Sequence, residues 1–310
     1  MMAAIFAERA LLPEGWAENV RVSIDDAGRI ARVGTGTAAE PDDLALPGRV
    51  LLPAPANLHS HAFQRAMAGL TEHRAGADDD FWSWRTLMYR FLDRLTPERM
   101  EAVAALVYVE MLEAGYASVG EFHYVHHRPG GGAYDDRAEM SGRIVAAAAA
   151  AGIGLTHLPV LYARAGVDGA PLAGGQLRFG CDLDRFLRIV EGVRTAVARG
   201  PADARVGVAP HSLRAVPPPM LADLVAAGTE GPIHIHIAEQ TREVEDVEAA
   251  FGARPVAWLL DNAPVDERWC LVHATHMVPG ETVALARSGA VAGLCPITEA
   301  DLGDGVFDAQ

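Results

Sequence analysis

The sequence predicts an α/β fold of parallel βαβ units, preceded by a small β element. Two observations carry this. From about residue 50 onward, seven short apolar, β-branched-rich runs alternate with helix-like stretches. The 310 residues, 50% hydrophobic and 22% charged, supply core for one large domain or two ordinary ones. Such alternation fits a doubly wound sheet or a (β/α)8 barrel one strand short.

Residues 1–52 read differently. Arg21–Ile24 and Arg29–Val33 alternate around the turn Asp25-Asp26-Ala27-Gly28, the pattern of a hairpin. A Pro/Gly/acidic stretch from Gly34 to Gly48 then leads to the apolar run Val50-Leu51-Leu52-Pro53. This segment is expected to be the N-terminal part of a small composite β domain, with residues 53–310 forming the α/β unit. In the latter, strands are expected at Leu51–Leu58, Ala117–Phe122, Gly154–Leu161, Arg205–Ala209, Pro232–Ala238, Trp269–His273 and Ala290–Leu294. Helices are expected near Pro97–Ala114, Ala138–Ala151, Leu183–Ala198, Pro219–Ala227, Thr241–Ala250 and Pro279–Arg287.

Composition narrows the chemistry. All 26 basic residues are arginine, because the sequence contains no lysine. Schiff-base catalysis, pyridoxal-phosphate attachment, a Walker-type P-loop and a carboxylated lysine bridging two metals are therefore excluded. The net charge of −15 argues against a nucleic-acid groove. No apolar run approaches a membrane span, and the first ten residues are too short and acidic for a signal peptide. Cys181, Cys270 and Cys295 are scattered without a CxxC pair, which points to a reducing cytoplasm.

The chemistry-bearing residues collect at strand ends. His59-Ser60-His61 places two imidazoles on one face of a strand, a pattern suited to a zinc-type ion, though also to a polar loop. The run Pro232-Ile233-His234-Ile235-His236-Ile237-Ala238-Glu239 directs His234 and His236 to one face and the isoleucines to the other. Glu239 follows at the strand end, where a carboxylate can move a proton to or from water and a leaving group. Leu271-Val272-His273 ends the next strand. Three such signals at the C-terminal ends of strands favour the barrel, which keeps its active site there.

His59-Ser60-His61, His236-Ile237-Ala238-Glu239 and His273 resemble the metal and catalytic pattern of the amidohydrolase superfamily, deaminase branch. The stretches Asn57 to Arg65, Phe81 to Arg85, Glu121 to His127, Ala209 to Arg214, His234 to Gln240 and Thr298 to Gly305 are similar to the formimidoylglutamate deiminase family within it. The resemblance implies an amidohydrolase-type TIM (β/α)8 barrel, one divalent ion of the zinc type on His59, His61 and His236, a proton shuttle at Glu239 and a polarising role for His273. It implies a substrate shell of Gln64, Arg85, Tyr124, His211 and Arg214, suited to a small-molecule dicarboxylate that bears a formimino group. Arginine pairs with carboxylate through a bidentate fork. Hydrolytic deimination of N-formimino-L-glutamate, a step of histidine degradation, is the implied activity, and a homodimer the implied assembly. No segment of the sequence marks an interface, and membrane and nucleic-acid partners are not expected.

One departure qualifies these expectations. The family closes its metal site with an aspartate at the end of strand eight, but Gln310 follows soon after the seventh apolar run. Asp301, Asp304 and Asp308 do not match that aspartate. The barrel is thus expected to be truncated before strand eight, with the returning strands of the β domain absent. The competing readings are a deaminase acting on guanine, cytosine or a related ring, and a catalytically inactive barrel fragment. The H-x-E…P-C-x-x-C signature of cytidine-type zinc deaminases is absent.

Overall fold

The computed structural model describes residues 3–71, 81–228 and 230–309, and these form two compact units, Met1–Pro55 and Ala56–Gln310. The first is a four-stranded sheet of β1 (Ala3–Leu12), β2 (Gly15–Ile24), β3 (Ile30–Gly34) and β4 (Leu44–Leu51), ordered β3-β2-β1-β4. The hairpin expected around Asp25–Gly28 is β2 and β3, paired antiparallel. Asp25 Oδ1 accepts the Ala27 and Arg29 amides, and Gly28 takes a φ of 77° that a side chain would resist. Two strands here differ from the expectation. β1 lacks strict alternation and pairs with both β2 and β4. Val50 and Leu51 end β4 instead of opening the next unit, because Pro53 and Pro55 break the run.

In the second unit the strands are β5 (Ala56–Ser60), β6 (Ser118–His123), β7 (Gly154–Leu161), β8 (Arg205–Val206), β9 (Ala209–Pro210), β10 (Ile233–Ile237), β11 (Trp269–His273) and β12 (Val291–Gly293). Each neighbouring pair is parallel: β5 with β6, β6 with β7, β7 with β8 and β9, and β10 with β11 and β11 with β12. A parallel bridge from Val208, just before β9, to Ile233 links this strand position to β10. Chain order equals spatial order throughout. A doubly wound sheet reverses its order at a switch point, whereas a (β/α) barrel does not. This is therefore the barrel arrangement, with the fourth strand interrupted between β8 and β9.

The helices are α1 (Phe81–Leu92), α2 (Pro97–Glu113), α3 (Glu139–Ala151), α4 (Leu183–Ala198), α5 (Pro218–Ala226), α6 (Thr241–Phe251), α7 (Pro255–Asn262), α8 (Pro279–Ser288) and α9 (Pro296–Leu302). α4 shows why they form: Asp182 caps its first turn through Arg185 N, and Phe186, Ile189, Val190, Val193 and Val197 make one buried stripe. The sequence pattern does not predict α1, α7 or α9. Phe81 to Arg85 is the first turn and a half of α1; the side chains of Phe81, Trp82 and Ser83 lie outside the described residues. No helix among the described residues is long and apolar enough to cross a membrane.

Gly120 sets how closely β5 and β6 can pack. A Cβ there would lie 2.7 Å from Leu58 O, so only glycine lets β6 approach the strand that carries His59.

Strand periodicity puts Phe122 on one face of β6 and Glu121 and His123 on the other. His123, His126 and His157 are almost fully buried on that second face, with the His123 and His157 rings 5.2 Å apart. Neither ring nitrogen of His157 has a partner among the described residues. Burial pushes His126 down to about 4, His157 to about 3 and His123 well below its ordinary value. Unfolded histidine titrates near 6.5, so below that pH the unfolded chain binds more protons. Stability is complete above pH ~6.5 and is lost as pH falls toward 4, by up to about 1.4 kcal/mol per pH unit for each such histidine. The melting temperature should therefore drop steeply between pH 7 and 5. His157→Leu should flatten that slope without lowering stability at pH 7.5, since an unpartnered buried polar group is replaced by an apolar one. An unchanged slope in His157→Leu would rule out this account.

Candidate active site

The three-histidine group forms at the C-terminal mouth of the barrel. β5 delivers His59 and the following His61, and β10 delivers His236. Their Nε2 atoms lie 2.9 Å (His59 to His61), 3.1 Å (His59 to His236) and 3.3 Å (His61 to His236) apart. His61 Nδ1 lies 2.9 Å from Phe122 O, and His236 Nδ1 lies 3.2 Å from His211 O. Because a carbonyl only accepts, both Nδ1 atoms carry the proton and both Nε2 atoms present lone pairs. Burial lowers His61 to about 4 and holds His59 and His236 well below the ordinary histidine value, so all three stay neutral. Two lone-pair-bearing nitrogens locked by backbone carbonyls, with His59 Nε2 in contact with both, fit a metal ion. Ligands at about 2.0–2.1 Å in a tetrahedral set would stand roughly 3.3–3.4 Å apart. His234, two residues earlier on the same strand, stands outside the trio.

Glu121, on the far side of β6, steadies this loop: its Oε1 accepts the Ala62 N–H at 2.8 Å, and burial pushes it up to about 7. The ends of β10 and β11 are strained. Ala238, His273 and Ala274 have φ of 50°, 69° and 51°, conformations costing about 1–3 kcal/mol each for non-glycine residues.

Glu239 and His273 meet at these ends, with Glu239 Oε1 3.5 Å from His273 Nε2; both are buried. Burial opposes a charge on His273, but Glu239 and Glu299 outweigh it and raise the imidazole above its ordinary value. Three further carboxylates crowd the pair. Glu243 Oε2 accepts the Glu239 N–H at 3.1 Å, Glu299 Oε1 lies 3.1 Å from His273 Nδ1, and Asp304 accepts from Gln240 Nε2. Burial, with Glu239 close by, pushes Asp304 up to about 7.

One cavity of about 310 Å³ is lined by all three histidines, Glu239, His273, Gln64, Arg85, Tyr124, His211 and Arg214. Every site residue singled out from the sequence thus faces the same space. Gln64 Nε2 donates to Tyr124 Oη at 3.0 Å. Arg85 donates to Tyr89 Oη and, at 3.1 Å, to Tyr162 Oη. His211 Nδ1 lies 3.0 Å from Ser212 Oγ. Arg214 is buried, its Nε has no partner among the described residues, and Glu243 and Glu239 keep it charged against the cost of burial. Sequence reasoning missed Tyr89, Tyr162, Glu243 and Glu299. Of these only Glu299, inside the Thr298–Gly305 stretch, carried any signal.

Known proteins align with this arrangement. A family model described as "Amidohydrolase family" matches residues 50–310, and one described as "Formimidoylglutamate deiminase HutF, N-terminal domain" matches residues 2–45. The chain is 54% identical, over 99% of its length, to a formimidoylglutamate deiminase from Pseudomonas aeruginosa, and spans 67% of that protein. It is 28% identical over 97% of its length to a 5-methylthioadenosine/S-adenosylhomocysteine deaminase from Natronomonas pharaonis, spanning 64% of it. The crystal structure of an amidohydrolase from Brucella melitensis superposes with a TM-score of 0.92 at 53% identity, covering 99% of this chain and 68% of that one. An adenosine deaminase from Xanthomonas campestris with bound zinc shares the fold alone, at a TM-score of 0.74 and 21% identity, covering 98% of this chain and 64% of that one. Its sequence and its parallel strand order agree: the chain belongs to the amidohydrolase family.

Proposed function

We propose that this protein hydrolyses N-formimino-L-glutamate to N-formyl-L-glutamate and ammonia. The observation that carries the reading is a buried arginine, Arg214, with an unpartnered Nε, facing the same cavity as the three-histidine group and Glu239. An amidine carrying carboxylates needs both a hydrolytic centre and a cation to receive its charge. The similarity to a protein named for this activity, and the match to its N-terminal domain, support the choice.

In this reading His59, His61 and His236 would hold one zinc-type ion through Nε2, and an ion bound there would lower the pKa of water to near 7. The hydrolysis itself adds water to the formimino carbon, breaks the bond to the terminal nitrogen and releases ammonia. Glu239 takes the proton from the attacking water and delivers it to the departing nitrogen. His273, beside Glu239, faces the same carbon. Arg85 and Arg214 receive the carboxylates, Gln64 and Tyr124 orient the chain between them, and His211 closes the wall behind His236. The setting fits a reducing cytoplasm: Cys181, Cys270 and Cys295 are free, and burial raises each thiol to about 12, leaving them inert.

His59→Ala, His61→Ala and His236→Ala should each abolish stoichiometric metal, measured by elemental analysis of the purified protein. His234→Ala should retain it, and the reverse pattern between His234 and His236 would overturn the ligand choice.

Glu239→Gln keeps the shape and removes the base. Metal content should stay near normal while turnover falls ~10²-fold or more. Turnover within a few-fold of the unmutated protein would remove Glu239 from the mechanism.

Arg85→Ala and Arg214→Ala should each lower kcat/KM for formiminoglutamate by about 10–150-fold, the value of a charge-assisted pair worth roughly 1.5–3 kcal/mol. Lysine should restore only part of this, because ammonium lacks the fork. Guanine turned over faster than formiminoglutamate, or arginine variants of full activity, would defeat the dicarboxylate reading.

A further inference from the structure

Glu299 is the carboxylate bonded directly to the His273 ring, and the proposed reaction gives it no part. It is almost fully buried in α9, and one of its oxygens, Oε1, accepts two hydrogen bonds. The first comes from Cys295 N–H at 2.8 Å, at the start of the same helix. The second comes from His273 Nδ1 at 3.1 Å, across from the end of β11. A neutral imidazole carries one proton, on either nitrogen, and the partner of one nitrogen decides which. A carboxylate opposite Nδ1 requires the proton there. Nε2 is then the nitrogen aimed at Glu239 Oε1, 3.5 Å away.

The backbone alone does not hold this ring. His273 and Ala274 sit at φ 69° and 51° without glycine's freedom, so the segment needs an external tie. Ala274 N–H to Ile237 O, at 3.0 Å, ties the main chain to β10. Among the described residues, Glu299 is the group bonded to the ring at Nδ1. We propose that Glu299 is a positioning residue that fixes the Nδ1–H tautomer and the orientation of His273, so that its Nε2 faces Glu239 and the reacting carbon. The carboxylate is in turn aimed by the Cys295 amide, so α9 acts as the mount for a residue of β11. The competing structural role is a cap on α9 through Cys295 alone, with His273 indifferent to it.

The inference rests on the functional reading only for its kinetic consequence; the tautomer is testable without it. In protein labelled with 15N at histidine, at a fixed pH of 8, a long-range proton–nitrogen spectrum distinguishes the two tautomers, and His273→Asn assigns the signal. The unmutated protein should show an exchange-protected Nδ1–H for His273. Glu299→Gln should keep it, because the Cys295 amide holds the glutamine carbonyl in the same place. Glu299→Ala should lose it, with kcat down roughly 10–100-fold, KM little changed and metal content unchanged. Persistence of the Nδ1–H signal in Glu299→Ala overturns the proposal. So does its loss in a Glu299→Gln protein with a normal circular dichroism spectrum, which covers the case of an unfolded alanine variant. A bonded Nδ1–H in an unmutated protein that does not turn over formiminoglutamate would count against the proposed function and leave the tautomer assignment standing.

Discussion

Three imidazoles kept neutral and turned inward, two of them with their lone pairs fixed, are the constraint on which the rest of this structure depends. The Nε2 atoms of His61 and His236, 3.3 Å apart, cannot be held by their own attraction, since lone pairs repel. The fold imposes the approach. Backbone carbonyls at Phe122 and His211 take the Nδ1 protons, burial removes the charged forms, and the β5–β6 contact over Gly120 sets the depth of His59. Phe122 and Gly120 lie on β6 and His211 directly follows β9, so the site is a property of the barrel's register.

The second organising feature is an excess of buried negative charge. Glu239, Glu243, Glu299 and Asp304 surround a single imidazole, His273, and a single guanidinium, Arg214. Burying an unpaired carboxylate is expensive, and the structure meets the cost by sharing. Glu243 accepts the Glu239 amide, Glu299 takes His273 and the Cys295 amide, and Asp304 takes Gln240 and rises toward neutrality. Glu239 is thereby left facing His273 Nε2, 3.5 Å away. That arrangement suits a group whose task is to gain and lose a proton.

Strain falls at the same place. Ala238, His273 and Ala274 are three of the four non-glycine residues with positive φ among the described residues, and they cluster at the ends of β10 and β11. The parallel ladder between these strands runs to its last residue, Ile237 opposite His273, and continues through the Ala274 and His276 amides. Pairing is thus carried past the point where strand geometry ends, and the backbone conformation that results turns His273 into the cavity mouth.

Local periodicity determined a great deal by itself. Alternation of two is visible in Ile233–Ile237 and helical spacing in Leu183–Ala198, and both elements form where those patterns lie. The histidine pairs and Glu239 were legible because a strand or its end dictates which face each residue takes, whereas Arg85 and Arg214 stood out only through the family resemblance. The elements and residues that were not legible depend on contacts distant in sequence. α1 begins at an aromatic run whose composition does not distinguish loop from helix. β1 is defined by partners on both sides, and Val50–Leu51 belongs to β4 because of pairing with Arg9 and Ala10. Glu299 meets His273 across 26 residues, and Tyr162 meets Arg85 across 77. A sequence states which side chains are available and the period on which they recur; only the set of parallel neighbours decides which of them meet, because that meeting is set by register between strands that share no local pattern.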